Sequence, residues 1–228
     1  MDDKNELAPE THLFDVKIFQ DLTLEEIKEL ENKCHLREVA AGTVIYELEQ
    51  AGEMMFFIRR GRVRLYHFSP EGKTFTTAIL EAGAFFGETT RFGGRKCYGS
   101  YAEAVTACAI YAMNRADVET FLLGDRRIAL RIVEVLSERL IEAEQRLADS
   151  VLKNIPSRLV SLLLRFARQN DSTEVYLTHE ELAQLLGTRR ETVTRILNEM
   201  ESSQGSIALH RGRITLLDVE RLNRIGST

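Results

Sequence analysis

Two arginines and a glutamate lie close together in one predicted helix, at Arg190, Glu191 and Arg195. An arginine can donate to O6 and N7 of one guanine, and a glutamate can accept from the N4 amino group of cytosine. Apolar residues at helical spacing occupy the other side of the segment, so the three polar side chains share an exposed face. The apolar positions are Val193, Ile196, Leu197 and Met200. This face predicts a helix that reads base edges in the major groove of DNA.

A second helix is predicted immediately before it, because the start and stop signals of both helices are present. Thr178 and Glu181 have the spacing of a capping box, and Thr188 and Glu191 repeat it. Gly187, between them, suits a helix C-terminus because glycine adopts positive φ without strain. Two capped helices joined by one glycine turn predict a helix-turn-helix, with the second helix over residues 188–201.

Downstream of this pair, the apolar runs 207–209 and 214–217 flank His210-Arg211-Gly212-Arg213. This pattern predicts a β-hairpin with a basic tip, a wing that could contact phosphate. The alternative for the whole segment is an ordinary helical hairpin with a solvated charged face. The basic wing favours DNA binding over that alternative.

The segment Gly-Thr-Arg-Arg-Glu-Thr-Val-Thr-Arg, residues 187–195, resembles the recognition helix of the CRP/FNR family of bacterial transcription regulators. Members with this trio read a TGTGA-like half-site of a palindrome. The resemblance implies that Arg190 and Arg195 bind guanines and that Glu191 binds a cytosine. It also implies DNA backbone contacts on the two helices and the wing. These residues are Thr178, His179, Thr188, Arg189, Thr192, Arg211 and Arg213, with His179 standing where some relatives carry Arg.

The chain has 228 residues, enough for one or two domains, and a net charge of −5. The charge is unevenly distributed. Residues 154–228 carry 10 basic and 9 acidic side chains, a net +1, whereas residues 1–153 carry 20 and 26, a net −6. The acidic surplus therefore does not argue against DNA binding by the C-terminal part. Because that part is barely basic, affinity should depend on few phosphate contacts per subunit and on dimerisation.

The N-terminal half changes character at Leu36. Residues 12–35 have helical spacing, with a capping box at Thr23 and Glu26. Short β-type runs then alternate with glycines about ten residues apart, which predicts a β-sandwich or roll. Residues 57–65 and Phe86-Gly87-Glu88 resemble the strands and phosphate cassette of the cyclic-nucleotide-binding jelly roll. The predicted fold class is therefore α+β: a jelly roll, a long dimerisation helix and a C-terminal winged helix-turn-helix.

The cassette departs from the pattern of cAMP-binding relatives. The candidate effector pocket contains Gly87, Glu88, Arg95, Lys96 and Tyr98. Glu88 could bind a ribose hydroxyl, but Tyr98 and Gly99 stand where those relatives have Arg and Ser. A buried cyclic phosphate without its arginine is costly, so cAMP binding is not expected. Arg91, Arg95 and Lys96 could substitute for that arginine in an altered loop, and another small effector, or none, remains open. No cofactor is predicted.

Other chemistries have weaker support. The three cysteines, Cys34, Cys97 and Cys108, form no C-x-x-C pair and are odd in number, which fits a reducing cytoplasm. Iron–sulfur members of the family use an N-terminal cysteine cluster, whereas only Cys34 lies before residue 97 here, which argues against such a cluster. Cys97 follows two basic residues, so a redox role stays open beside inert packing. No spacing singles out a haem ligand, and no metal or catalytic residues are predicted. Neither a Walker loop, G-x-S-x-G nor H-E-x-x-H is present, so an enzyme is not expected.

Residues 117–151 show a long helical pattern whose apolar positions alternate spacings of four and three. The seam residues are Val133, Leu136, Leu140, Ala143 and Leu147. The alternatives are a helix on its own domain and a helix packed against a symmetry mate; the heptad period favours the second. Asn154 and Pro156 then start a further helix. The predicted domains are 1–116 (sensor), 117–153 (dimerisation helix and hinge) and 154–228 (DNA-binding).

The sequence thus predicts a homodimeric, sequence-specific regulator that binds double-stranded DNA, and contacts RNA polymerase if it is an activator. The alternatives are a module that mainly senses a cyclic nucleotide or small ligand, and a constitutively active, effector-independent activator. Activation and repression are not distinguished. No apolar run reaches the ~18–20 residues of a membrane span, and the polar start MDDKNELAPE is unlike a signal peptide. The expected location is the cytoplasm.

Overall fold

The computed structural model describes residue 13 and residues 16–87, 97–122, 124–203 and 205–226. The chain divides into two compact units. The first comprises residues 1–67 and 77–139, and the second comprises residues 68–76 and 140–228. The second unit contains the predicted helix-turn-helix and wing, together with the tip of one β-hairpin.

The helices begin largely where local capping signals predict. Thr23 and Glu26 form a reciprocal capping box at the start of the first helix, and the Asn154 side chain accepts from the Ser157 amide ahead of Pro156. The helices are α1 (Leu24–Glu31), α2 (Arg126–Leu152), α3 (Ile155–Gln169), α4 (His179–Leu186), α5 (Arg190–Ser202) and α6 (Val219–Gly226).

Short strands separated by turns build the sheets, as the glycine spacing predicts. In the first unit β1-β8-β3-β6 form one sheet, and β2-β7-β4-β5 form another. The wing sheet has the order β10-β11-β9. The strands are β1 (His35–Val39), β2 (Val44–Tyr46), β3 (Met54–Arg60), β4 (Val63–Phe68), β5 (Thr74–Leu80), β6 (Phe85–Phe86), β7 (Tyr101–Ala104), β8 (Cys108–Asn114), β9 (Glu174–Val175), β10 (Ile207–His210) and β11 (Arg213–Leu216).

The described residues of the first unit form two apolar cores. One joins the N-terminal helical segment to β3, β8 and the start of α2, with Phe19 and Phe57 fully buried and their rings 5.1 Å apart. The other fills the space between the two sheets of the roll with aromatic and small side chains, among them Tyr46, Phe56 and Tyr98. The strongly apolar strands β3 and β8 pair side by side and contribute to both cores.

The prediction of a helical segment over residues 12–35 is correct only in part. The described residues there form a 3-10 helix at Lys17–Phe19 and the short helix α1. Leu22 amide donates to Phe19 carbonyl in a turn between them. The break follows from Thr23, whose extended backbone (ψ 163°) serves as N-cap and so cannot continue a preceding helix.

The predicted start of the long helix at residue 117 is wrong. The chain forms a short helical segment at Arg115–Asp117 and a π-helical turn at Val118–Leu122, and α2 begins only at Arg126. The Asp125 carboxylate accepts from the Arg127 amide, so it caps α2. The apolar spacing continues across this break because both segments contribute to the same core, and periodicity alone does not reveal a restart.

Within the described ranges, none of the helices combines the length and the apolar character that crossing a bilayer requires.

Candidate nucleic-acid interface

The helices α4 and α5 form the predicted helix-turn-helix, and most of their capping follows the sequence. Thr178 and Glu181 make the predicted reciprocal capping box at the start of α4. Gly187 ends α4 with φ 66° and ψ 35°, the left-handed region that favours glycine. The second predicted capping box, at Thr188, is wrong. The Thr188 amide still donates to the Ala183 carbonyl and closes α4, so Arg189 is the N-cap of α5.

The buried side of α5 fixes which side chains face outward. Its buried residues are Val193, Ile196, Leu197 and Met200, as predicted. Arg190, Glu191 and Arg195 are all exposed, and the guanidinium of Arg195 lies 3.6 Å from the carboxylate of Glu199 one turn later. Both side chains of that ion pair are more than half exposed, so the pair holds Arg195 only weakly. The structure therefore brings the three predicted base-reading residues together on one accessible face.

His179 and Thr194 link the two helices on the same side. The His179 Nδ1 lies 2.9 Å from the Thr194 Oγ1, and both residues are half-buried. Burial, with a smaller contribution from the charge of Arg190, lowers the pKa of His179 below its usual value. His179 is therefore neutral at physiological pH. Sequence reasoning assigned His179 to the DNA backbone and gave Thr194 no role.

The other residues predicted to contact the DNA backbone lie around the turn. Arg189 is exposed and Thr188 and Thr192 are half-buried beside it at the start of α5. Thr178 is exposed at the start of α4, but its hydroxyl donates to a Glu181 carboxylate oxygen 2.8 Å away. Arg189 therefore has a long, exposed side chain that can extend towards a DNA phosphate, whereas the Thr178 hydroxyl is already bonded within its own capping box.

The wing is a tight β-hairpin. His210 pairs with Arg213 across it, so Arg211 and Gly212 (φ 72°) form the two-residue tip. Arg211 is exposed, whereas the Arg213 guanidinium lies 2.9 Å from the carboxylate of Glu174 on β9. Of the two wing residues predicted to contact the DNA backbone, Arg211 lies exposed at the tip, whereas Arg213 also forms an ion pair within the wing sheet.

Two arginines outside the helix-turn-helix bind the C-terminal end of α4. The Arg146 Nη2 on α2 donates to the Leu185 carbonyl (3.3 Å), and the Arg158 Nη2 on α3 donates to the Leu186 carbonyl (2.9 Å). These carbonyls are among the last of the helix, which have no intrahelical donor. Burial lowers the pKa of Arg146 to about 10, with a further contribution from Arg165. The two guanidiniums thus bind the last carbonyls of α4, at the end of the helix where the helix dipole favours positive charge.

Sequence reasoning missed these arginines, because their spacing on α2 and α3 is that of ordinary solvated charges. The hairpin tip of residues 68–76 also packs here. The Phe75 ring lies 3.6 Å from the position that a Cβ on Gly187 would take, and the Thr76 hydroxyl is 3.3 Å from the Gln184 Oε1. These contacts reach α4 and the turn, while the predicted reading face of α5 stays exposed.

The candidate effector pocket is only partly described, because Glu88, Arg95 and Lys96 lie outside the described residues. Tyr98 is 3% exposed, and its ring stacks on that of Tyr46 with centroids 3.7 Å apart. The Tyr98 hydroxyl donates to the Met54 carbonyl (3.1 Å) and accepts from the Met54 amide (3.3 Å). Gly87 has φ 88°, and a Cβ there would lie 2.8 Å from the Met54 carbonyl oxygen, so this close backbone approach requires glycine.

The predicted dimer seam runs along one face of α2. Val133, Leu140 and Leu147, each seven residues apart, are 60%, 59% and 67% exposed. Ala143 is exposed and Leu136 is half-buried against the first core. Isolated exposed leucines are common, but a continuous stripe of them along one helix is characteristic of an interaction surface.

The thiols differ in their surroundings. Burial, with smaller effects of Glu31 and Asp117, raises the pKa of Cys34 to about 12. Burial also raises the pKa of Cys108, while Cys97 is half-buried. In the part of the chain that the structure describes, no group of three or more histidine, cysteine or acidic side chains is arranged to hold a metal ion.

Two family models match parts of the chain. Residues 36–125 match the model of the cyclic nucleotide-binding domain, and residues 157–225 match that of the Crp-like helix-turn-helix domain. The chain is 27% identical over 216 residues to a CRP-like cAMP-activated global transcriptional regulator of Mycobacterium tuberculosis, covering 91% of this chain and 95% of the relative. It is 24% identical over 183 residues to the regulator CRP of Salmonella typhimurium, covering 78% and 87%.

Solved structures share the fold. FixK2 from Bradyrhizobium japonicum matches with a TM-score of 0.75 at 21% identity, over 84% of this chain and 96% of that one. A CooA variant from Carboxydothermus hydrogenoformans matches with a TM-score of 0.78 at 22% identity, over 96% and 97%. At these identities the likeness concerns the fold alone. It confirms the predicted α+β class, with an N-terminal roll, a long helix and a C-terminal helix-turn-helix.

Proposed function

The chain belongs to the CRP/FNR family of DNA-binding transcription regulators, and we propose that it acts as a homodimer on a TGTGA-like palindrome. The observation that carries the proposal is the exposed group Arg190, Glu191 and Arg195 on α5, opposite a fully buried apolar stripe. The two arginines offer paired donors for guanine, and the glutamate offers an acceptor for the cytosine N4 amino group. Relatives with known function are transcription regulators, which agrees with a non-enzymatic role.

The exposed stripe on α2 supports the homodimer. Its leucines and valine recur at heptad spacing, so a second copy of α2 could pack along the same face and cover them. A two-fold axis along this helix would present two copies of α5, as a palindrome about one DNA turn (~34 Å) between half-site centres requires. Each copy contributes few phosphate contacts, because residues 154–228 have a net charge of only +1. Pairing would supply the missing affinity.

We also propose that the regulator does not respond to cAMP. Tyr98, at the position where cAMP-binding relatives carry an arginine, is buried and is bonded through its hydroxyl to Met54. Burial raises its pKa, so it is a neutral phenol and cannot compensate a cyclic phosphate. The stack of Tyr98 on Tyr46 favours a second candidate function, that of a regulator active without any effector. A roll that senses another small ligand is the remaining alternative.

Action on chromosomal DNA would place the protein in the cytoplasm, with RNA polymerase as a further partner if the regulator activates. Both remain proposals that follow from DNA binding.

The test is fluorescence anisotropy with a TGTGA-N6-TCACA duplex and with a scrambled duplex. Wild type should bind the palindrome tightly and with salt dependence. Arg190→Ala should lose about 1–3 kcal/mol per contact, roughly 5- to 150-fold for each half-site, and should relax the guanine preference. The matched control is Arg126→Ala, an exposed arginine at the start of α2, which should leave binding unchanged. Equal binding of the same sequences by Arg190→Ala would overturn the assigned reading roles.

Calorimetry tests the effector proposal separately. The wild-type protein titrated with cAMP should give no binding heat, and its affinity for the palindrome should not change when cAMP is added. A micromolar affinity for cAMP would overturn this part while leaving the DNA-binding proposal intact.

A further inference from the structure

Thr194 lies in the middle of the exposed face of α5. It is four residues after Arg190 and four before Asn198, so the three side chains form one row along the helix. Thr194 is half-buried whereas Arg190 and Asn198 are exposed. Its shorter side chain therefore lies at the floor of the reading face, where it can meet a base edge only if its hydroxyl is correctly oriented.

His179 is positioned to orient that hydroxyl. Its Nδ1 lies 2.9 Å from the Thr194 Oγ1, the length of a good hydrogen bond between side chains. The bond crosses from the first residue of α4 to the second turn of α5, and both partners are half-buried. A hydroxyl held in this way has a defined donor and acceptor direction, unlike a freely rotating one.

The charge state of His179 limits which partner can donate in its hydrogen bond with Thr194. Burial and the charge of Arg190 lower its pKa, so the ring is neutral and carries one hydrogen. If that hydrogen is on Nε2, Nδ1 accepts from the Thr194 hydroxyl, and Thr194 offers only lone pairs to the groove. A DNA phosphate, which only accepts hydrogen bonds, selects this tautomer when it binds the Nε2–H. The DNA backbone would thereby set the hydrogen-bonding character of a base-reading side chain.

On the basis of the proposed function, we propose that His179 and Thr194 form a second reading element, which recognises a base of the half-site in addition to those read by Arg190, Glu191 and Arg195. The phosphate accepts from the His179 Nε2–H, the His179 Nδ1 accepts from the Thr194 hydroxyl, and the Thr194 oxygen accepts from an exposed amino group of the half-site. In the major groove such a group is the N6 amino group of adenine or the N4 amino group of cytosine. Thr194 is thus a specificity-determining residue, and His179 is a positioning residue that acts through it.

The experiment measures base preference as well as affinity. Each base pair of the half-site is varied symmetrically in the palindrome, and anisotropy gives the affinities of wild type, Thr194→Val, His179→Ala and His179→Asn. Val keeps the shape of threonine without the hydroxyl, and the Asn Oδ1 can replace Nδ1 as acceptor but cannot reach the phosphate. Thr192→Val is the matched control, because Thr192 is another half-buried threonine of α5, assigned to the DNA backbone.

Wild type should prefer adenine or cytosine at one strand position by roughly 5- to 150-fold. Thr194→Val and His179→Ala should lose that preference and keep the others, and His179→Asn should retain it with uniformly weaker binding. Thr192→Val should weaken binding evenly. At the preferred position, purine in place of adenine (or 2-pyrimidinone in place of cytosine), which removes the amino group, should weaken wild type but not Thr194→Val.

Unchanged base preferences in Thr194→Val, or an even loss across all sequences, would overturn the second reading element. Sequence-specific binding by wild type in the same experiment would leave the proposed function standing. A wild type that selects no sequence at all would instead overturn the proposed function, and this inference with it.

Discussion

Replacement of Leu140 by glutamate should dissociate the dimer. Leu140 is 59% exposed in the single chain and lies midway between Val133 and Leu147 on the exposed stripe of α2. Full burial of a leucine side chain contributes about 1.5–3 kcal/mol, so covering the exposed part contributes about 1–2 kcal/mol per copy. By symmetry both copies are affected, which gives about 2–4 kcal/mol from lost burial alone.

The introduced charge adds to this loss. Two glutamates would face each other across the two-fold axis, and a buried carboxylate without a partner costs further free energy. Glu144, one turn further along α2, adds like-charge repulsion. Because each buried, unpaired carboxylate costs several kcal/mol, the total is at least about 4 kcal/mol, which corresponds to about a thousandfold increase in the dissociation constant of the dimer. A dimer with a nanomolar constant would become one with a micromolar constant.

Sedimentation equilibrium over a range of concentrations measures the change directly. The control is Leu24→Glu: Leu24 is 68% exposed but lies on α1, where a glutamate at the helix start is favourable. Compared as monomers, at concentrations below the dissociation constant of the wild-type dimer, both variants should unfold within about 0.5 kcal/mol of wild type, because both positions are exposed in the single chain. Affinity for the full palindrome should fall in Leu140→Glu, while weak binding to a single half-site persists. A dimer constant changed less than threefold, or an equal effect of Leu24→Glu, would refute the assigned seam.

Three further predictions concern residues of the first unit. Tyr98→Phe should lower the free energy of unfolding, measured by urea unfolding, by about 1–2 kcal/mol because the hydrogen bonds of the hydroxyl are lost. Tyr98→Ala should lower it by about 3–5 kcal/mol because it also leaves a cavity. A free energy of unfolding of Tyr98→Phe equal to that of wild type would argue against the role of the hydroxyl. Alkylation of the native protein at pH 8 should modify Cys97 first, since burial raises the pKa of Cys34 to about 12 and keeps its thiol protonated; rapid labelling in Cys97→Ser would contradict this. Gly61→Ala should destabilise the roll markedly in thermal unfolding, because φ is 92° and the new Cβ would lie 2.5 Å from the Ala107 carbonyl oxygen; an unchanged midpoint would show that this turn can relax.

Much of the helix-turn-helix could be predicted from the sequence, because its signals are local. A capping box joins residues three apart, and the Thr178–Glu181 box forms as predicted. The buried stripe of α5 follows from helical spacing, so the exposure of Arg190 follows as well. The prediction failed where two local signals competed: Thr188 could cap α5 or close α4, and the left-handed Gly187 commits it to closing α4.

The strands and their glycine turns could likewise be predicted, but the side chains that fill the interior of the roll could not. The family resemblance implies only that Tyr98 stands where cAMP-binding relatives carry an arginine. The structure decides that the ring is buried against Tyr46, a residue 52 positions earlier, and that its hydroxyl binds Met54. Whether a tyrosine lines an open pocket or fills it depends on which surfaces meet across the two sheets.

The sequence by itself determined the capped starts of α1, α3 and α4, the heptad stripe and the three side chains expected to read DNA. These features depend on residues within one or two turns of each other, where the backbone geometry fixes what is adjacent. Only the tertiary structure decided that Arg146 and Arg158 hold the carbonyl end of α4, and that His179 bonds to Thr194. Those contacts join groups far apart in the chain, and packing alone determines which buried polar groups must satisfy one another.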